Sequence, residues 1–344
     1  MKNKRITGII VIALIAMMVL MGCDELTMTT NFPEDNLEIH YIDVGQGDST
    51  LVIIPNDEVA LIDAGTRGGR EKLVSYLKKS NIKKIDYLIG THPHEDHIGG
   101  LPEVIRNFEI GKVYLPNKSN NTQIFEELLN EIKNKGLKIS EGKTGVNMID
   151  TRELKFYTIG PSKEYANMNN NCIVTKIIYK NFSTLITGDA EKEAESDMIE
   201  EGHNLKADIL RLGHHGSNTS TTEAFLDKVD PSYAIISVGK DNIYGHPDRE
   251  VMDSLEERNI VALRTDEMGT IVIQTDGKKL NWLTDISEGR IIDDNEEIYI
   301  GNLNSKIFHA EDCNSLPNKE NQITFNSKKE AIEKGYKAHS VCIK

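Results

Sequence analysis

The stretch Thr91–Gly100, which reads THPHEDHIGG, constrains this chain more than any other. His92, His94, Asp96 and His97 fall within it at spacings that do not suit one helix face, where neighbours recur at three and four residues. The pattern predicts a loop. An apolar run, Lys84–Gly90 (KIDYLIG), precedes it and reads as a buried strand, and Gly99-Gly100 opens the next helix. Imidazoles and a carboxylate gathered at the C-terminal end of a strand are what a divalent cation needs.

Further ligand types stand at later strand ends. Thr184–Asp189 (TLITGD) sets Asp189 just past an apolar strand, Asp208–Ser217 (DILRLGHHGS) offers His214 and His215, and YGHP offers His246. With Asp63, at the end of the strand Val59–Asp63, five strand ends deliver His or Asp. Each late residue alone reads as a turn residue. Together, a bridging Asp and two sets of His/Asp ligands describe a two-metal site in which a shared hydroxide is the nucleophile.

Helical stripes at Arg70–Ser80, Leu101–Asn107, Phe125–Lys135, Glu191–Glu200, Thr222–Lys228 and Arg249–Arg258 alternate with short strands. Two strand-rich halves of this kind predict an α/β fold: two sheets packed together, with helices on both outer faces. The net charge of −14 argues against a protein that wraps nucleic acid over its whole surface, but not against a metal-centred phosphodiester site, where the ions supply positive charge locally.

The N-terminus reads as an address. Lys2, Lys4 and Arg5 precede an apolar run, Ile6–Met21, of signal-peptide length. Gly22-Cys23 at its end resembles the lipobox of bacterial lipoproteins, with cleavage before Cys23 and lipid on its thiol. An uncleaved anchor is the alternative. Either places the working domain outside the cytoplasm, held at the membrane. The expected divisions are a signal peptide (1–22), a polar tether (23–36), the main domain (37–284), a linker (285–297) and a terminal module (298–344).

The strings DVGQGDS, LIDAG, THPHEDHIGG, LITGDAE, HHGS and ISVGKDNIYGHP, in that order between Leu37 and Leu283, resemble the metallo-β-lactamase superfamily. Within it they resemble the ComEC-like branch of DNA-uptake proteins. The resemblance implies an αββα sandwich. It implies that His92 and His94 bind one metal, Asp96 and His97 the other, with Asp189 bridging and His246 completing the second site. Where other members carry a further His, this chain reads Asn169-Asn170-Asn171, which implies a weaker first site suited to a harder ion such as manganese; two divalent ions, zinc or manganese, are expected in all. Which of Asn169 and Asn170 points inward stays open.

Asp96, His214 and His215 are the catalytic candidates; the two histidines bind metal, hold a phosphate oxygen or protonate the leaving group. Asp63 is expected to orient a metal-binding His. Asp43, Gln46 and Asp48 either shape the pocket floor or belong to a structural turn. Cys172 reads as a buried side chain.

The last residues carry His309, Cys313, His339 and Cys342 in a piece too small for a large core. They predict a structural zinc, and the region resembles the metal-binding domain of the Ada DNA-repair protein. A Cys313–Cys342 disulfide is the competing reading.

The sequence has no multi-helix channel region like that of the uptake proteins, so a tethered hydrolase is expected. Its substrate would be nucleic acid or a smaller phosphodiester. A surface DNA-binding protein with a weak metal site is the alternative, and a β-lactam or thioester hydrolase is a third.

Overall fold

The computed structural model describes residues 36–240, 242–284, 299–310, 313, 315–325, 331, 334–339 and 342. The expected signal peptide, Cys23 and the tether as far as residue 35 lie outside the described residues, as does the linker 285–297. Among the described residues no helix is long and apolar enough to cross a membrane.

Two sheets form the main body. The first contains β1 (Leu37–Tyr41), β2 (Thr50–Ile53), β3 (Val59–Ile62), β4 (Lys84–Ile89), β5 (Glu109–Leu115) and β6 (Ile139–Glu141). The second contains β7 (Asn147–Asp150), β8 (Leu154–Gly160), β9 (Val174–Tyr179), β10 (Phe182–Ile186), β11 (Ile209–Arg211), β12 (Tyr233–Ile236) and β13 (Val261–Arg264). The chain then returns to the first sheet with β14 (Ile271–Thr275), beside β1, and β15 (Leu280–Trp282). The strand orders are β15-β14-β1-β2-β3-β4-β5-β6 and β13-β12-β11-β10-β9-β8-β7.

Strand side chains alternate between faces, and here both faces are apolar. In β3, Ala60 and Ile62 join the core between the sheets, while Val59 and Leu61 join the core under the first set of helices. In β10 and β11, Ile186 and Ile209 face the other sheet, while Leu185 and Leu210 pack under the second set. The helices are α1 (Arg70–Lys79), α2 (Glu95–Ile98), α3 (Leu101–Asn107), α4 (Gln123–Asn134), α5 (Lys192–Glu200), α6 (Glu223–Val229), α7 (Arg249–Glu257) and α8 (Thr265–Met268). Leu73, Leu77, Val104 and Leu128 cover one outer face; Met198, Phe225, Val251 and Leu255 cover the other. The expected α/β sandwich of the αββα kind is the observed one.

Strands β3, β4, β5 and β6 run parallel, as do β10, β11, β12 and β13. Their C-terminal ends are where an open parallel sheet places a binding site. The strands β6, β7 and β15 escaped the sequence pattern because they are short edge strands with few buried side chains. The metal loop is also not wholly a loop. Asp96 and His97 lie on α2, a single helical turn with His94 extended at its N-cap (φ −87°, ψ 151°).

The terminal segment forms a sheet of its own, with β16 (Tyr299–Asn302), β17 (Ile307–Ala310), β18 (Gln322–Phe325) and β19 (Lys337–Ala338) in the order β18-β16-β17-β19. Its apolar cluster is small: Tyr299, Phe308, Phe325, Ala331 and Tyr336.

Candidate metal centre

Five strand ends build the site. Asp63 follows β3, and Thr91 and His92 follow β4. Asp189 follows β10, His214 and His215 follow β11, and the segment to His246 follows β12.

Two ligand groups share Asp189. One is His92, His94 and Asp189; the other is Asp96, His97, Asp189 and His215, and within each group the ligand atoms lie within 4.8 Å of one another. His92 Nε2 and His94 Nδ1 are 2.9 Å apart. Two imidazole nitrogens on one tetrahedral ion stand about 3.3 Å apart, so this separation is close to that of a chelating pair. His97 Nε2 lies 3.1 Å from Asp189 Oδ2, and His215 Nε2 lies 3.2 Å from Asp96 Oδ2. Asp189 Oδ1 is buried without a hydrogen-bond partner, an acceptor for which a cation is the natural occupant. The donor set fits two divalent ions.

The far nitrogens of His97 and His215 are held. His97 Nδ1 donates to Asp63 Oδ2 at 2.8 Å, and the Thr91 N–H and hydroxyl donate to the same carboxylate, each at 2.7 Å. His215 Nδ1 donates to the Ser237 carbonyl at 2.8 Å. These partners leave the Nε2 lone pairs for a metal. Burial keeps His92 and His94 neutral by pushing both below the usual imidazole range. Burial also opposes charge on His97, but Asp189, Asp63 and Asp96 overcome it and hold the ring well above that range. A divalent ion would supply the charge that the His97 proton supplies in its absence.

Beneath the ligands lies Arg211, fully buried. It donates to the Gly188 carbonyl at 2.8 Å and pairs with Asp48, whose Oδ1 is also 3.3 Å from His215 Nδ1. Burial pulls the guanidinium down to about 9. Cys172 is buried as expected, and its Sγ accepts from the Asp189 N–H at 3.1 Å, bracing the shared ligand. At Gly47 (φ +123°) a Cβ would overlap the Asp96 carbonyl, so the turn before β2 must be glycine there to close over α2.

The other candidates fall as follows. His246 is outside both ligand groups; its ring lies 5.7 Å from that of His214, and its buried Nδ1 has no hydrogen-bond partner but stands 3.8 Å from Asp248 Oδ2. His214 Nδ1 bonds Thr219 Oγ1 at 3.0 Å and Glu191 Oε1 at 3.2 Å. Both residues line a cavity of about 620 Å³ with His94, Asp96, Asp189 and His215. His214 and His215 sit in left-handed backbone (φ 48° and 55°), which sends the adjacent rings to different places.

Asp48 is under the site, but Asp43 is a turn residue: it accepts from the Gly45 N–H and pairs with Lys72 at 2.7 Å, outside the cavity lining. Gln46 does line the cavity and accepts from the Gly239 N–H. Asn169 Nδ2 donates to Glu191 Oε1 at 2.9 Å, and its Oδ1 is buried and unpartnered; Asn170 Oδ1 accepts from the Glu191 N–H.

In the terminal sheet, His309, Cys313, His339 and Cys342 converge. Cys313 Sγ is 3.5 Å from His309 Nδ1 and 3.6 Å from His339 Nδ1, and Cys342 Sγ is 3.2 Å from His339 Nδ1 and 4.0 Å from His309 Nδ1. Sulfur and nitrogen ligands on one tetrahedral zinc are about 3.5 Å apart. Both cysteines are free rather than joined in the alternative disulfide.

An αββα sandwich with this ligand set at its parallel strand ends defines a metal-dependent hydrolase. The metallo-beta-lactamase superfamily model matches residues 42–240, more than half of the chain, and the chain belongs to that superfamily. It is 35% identical over 252 residues to ComE operon protein 3 of Bacillus subtilis, covering 68% of this chain and 32% of that protein. It is 30% identical over 243 residues to competence protein ComA of Neisseria gonorrhoeae, covering 70% and 32%. The chain thus spans about a third of the length of these curated relatives. Among solved structures it is similar to the metallo-beta-lactamase fold protein YhfI of Bacillus subtilis, at 11% identity and a TM-score of 0.44, covering 63% of this chain and 93% of that one.

Proposed function

We propose that this chain is a phosphodiesterase, acting outside the cytoplasm on nucleic acid and tethered to the membrane through Cys23. The observation that carries the reading is Asp189, one buried carboxylate shared by two ligand groups at the floor of an open cavity. The similarity to competence proteins supports nucleic acid as the substrate and the cell envelope as the place.

His92, His94 and Asp189 would hold one ion, and Asp96, His97, Asp189 and His215 the other. When bound, the ions lower the pKa of water and neutralise charge growing on a phosphoryl group. Asp63 and the Ser237 carbonyl keep the His97 and His215 rings aimed inward. His214 differs from His215: with Nδ1 backed by Glu191 and Thr219, its Nε2 would give a proton to the leaving oxygen. Cys313, Cys342, His309 and His339 would hold a structural zinc whose binding energy supplements the small terminal core.

The test is hydrolysis by the full chain, purified in detergent with manganese or zinc, of a single-stranded oligonucleotide and of bis(4-nitrophenyl) phosphate. Cleavage of both is expected. Cleavage of the small ester alone would redirect the reading to small phosphodiesters. Retention of DNA without cleavage of either would replace it with the binding-protein alternative.

A further inference from the structure

The two most exposed large apolar side chains among the described residues are neighbours, Ile243 (92% exposed) and Tyr244 (63%). Both line the cavity that opens over the ligand groups. Exposed apolar groups at the rim of a polar cavity gain by covering themselves with a ligand.

Their turn is held rather than loose. Asn242 donates to the His246 carbonyl at 2.8 Å and accepts from the His246 N–H at 3.0 Å, closing the segment that presents the two side chains. The Tyr244 ring lies nearly parallel to that of His246, with 12° between planes and 6.0 Å between centroids. A preorganised aromatic face costs little entropy on binding.

The chemistry of the missing partner follows from charge. The net charge of −14 argues against a broad basic footprint for a polyanion, and among the described residues lining the cavity the lysine or arginine is Lys240. Bound ions would hold the scissile phosphate, but grip on the flanking nucleotide needs a further source, and stacking of a base on an aromatic face supplies it without reading sequence. Bases in a duplex are already stacked, so an unpaired base is required.

We propose that Tyr244, flanked by Ile243, is a stacking platform for an unpaired nucleobase next to the scissile phosphodiester, and so selects single-stranded nucleic acid. The proposal rests on the phosphodiesterase reading for its cleavage arm but not for its binding arm.

The experiment compares two fluorescent oligonucleotides of equal length, one carrying bases and one with a central run of abasic sites. The proteins are the wild-type chain, Tyr244→Phe and Tyr244→Ala. Cleavage is followed with manganese present; binding is followed by anisotropy after metal removal with a chelator. In Tyr244→Ala the preference for the base-bearing strand should fall about five- to hundredfold, in KM and in binding alike, while Tyr244→Phe keeps it. Base-dependent binding that needs Tyr244, without cleavage of either strand, would sustain the platform and sink the hydrolytic reading. A wild type with no preference for bases, or a Tyr244→Ala chain that keeps its preference, would overturn the platform whatever the cleavage.

Discussion

Asp63 holds His97 from behind, with its Oδ2 2.8 Å from His97 Nδ1. The same carboxylate accepts from the Thr91 N–H and hydroxyl, so one buried anion ties β3 to the start of the ligand segment. Asp63→Asn keeps the shape but removes the charge and one acceptor. Metal affinity should drop about ten- to a hundredfold, because the ring loses its fixed orientation and part of its basicity. Competition with a chromogenic chelator measures this. Unchanged affinity would show that His97 needs no such partner.

Lys176 gives a pH signature unrelated to the metal site. It is fully buried, donates to the Leu205 carbonyl at 3.4 Å and to that of Lys206, and burial lowers its ammonium to about 8. Between about pH 8 and the ordinary lysine value the unfolded chain holds a proton that the folded chain does not. Stability therefore rises with pH through that window. Denaturant titrations of wild type and Lys176→Met across it should diverge by on the order of 3 kcal/mol, the wild type gaining relative to the variant. Parallel profiles would mean that the buried amine keeps its proton.

The ligand segment was legible because its chemistry is local: four ligand-type residues after one apolar strand allow few readings. The shared Asp189 was legible for the same reason, an acid just past a strand and a glycine. Arg211 was not. In DILRLGHHGS it reads as a strand residue like its neighbours, and its partner Asp48 lies far away in sequence, joined to it only when the two sheets pack. That His215 rather than His246 groups with Asp96, His97 and Asp189 was equally hidden, since it depends on left-handed backbone at His214 and His215, which no residue type there announces. Asp43 looked like Asp48 in the string DVGQGDS, yet the turn points one to solvent-facing Lys72 and the other to the buried guanidinium.

The terminal module separates zinc from a disulfide by counting. Cys313→Ser should lower bound zinc by one ion per chain relative to wild type, read by elemental analysis after gel filtration. In wild type denatured with chelator and no reductant, both Cys313 and Cys342 should react with a thiol reagent. Unreactive thiols with unchanged zinc would establish the disulfide instead.

The most direct test of the shared carboxylate is Asp189→Ala. Its Oδ2 lies 3.7 Å from His92 Nε2 and 3.1 Å from His97 Nε2, so its loss strips a ligand from both groups. Hydrolysis of bis(4-nitrophenyl) phosphate and metal content should be measured together, with circular dichroism to verify the fold. A folded variant that loses activity on the order of a thousandfold or more, and holds less metal than wild type, is the predicted result. A folded variant with undiminished hydrolysis would contradict the two-metal account at its centre.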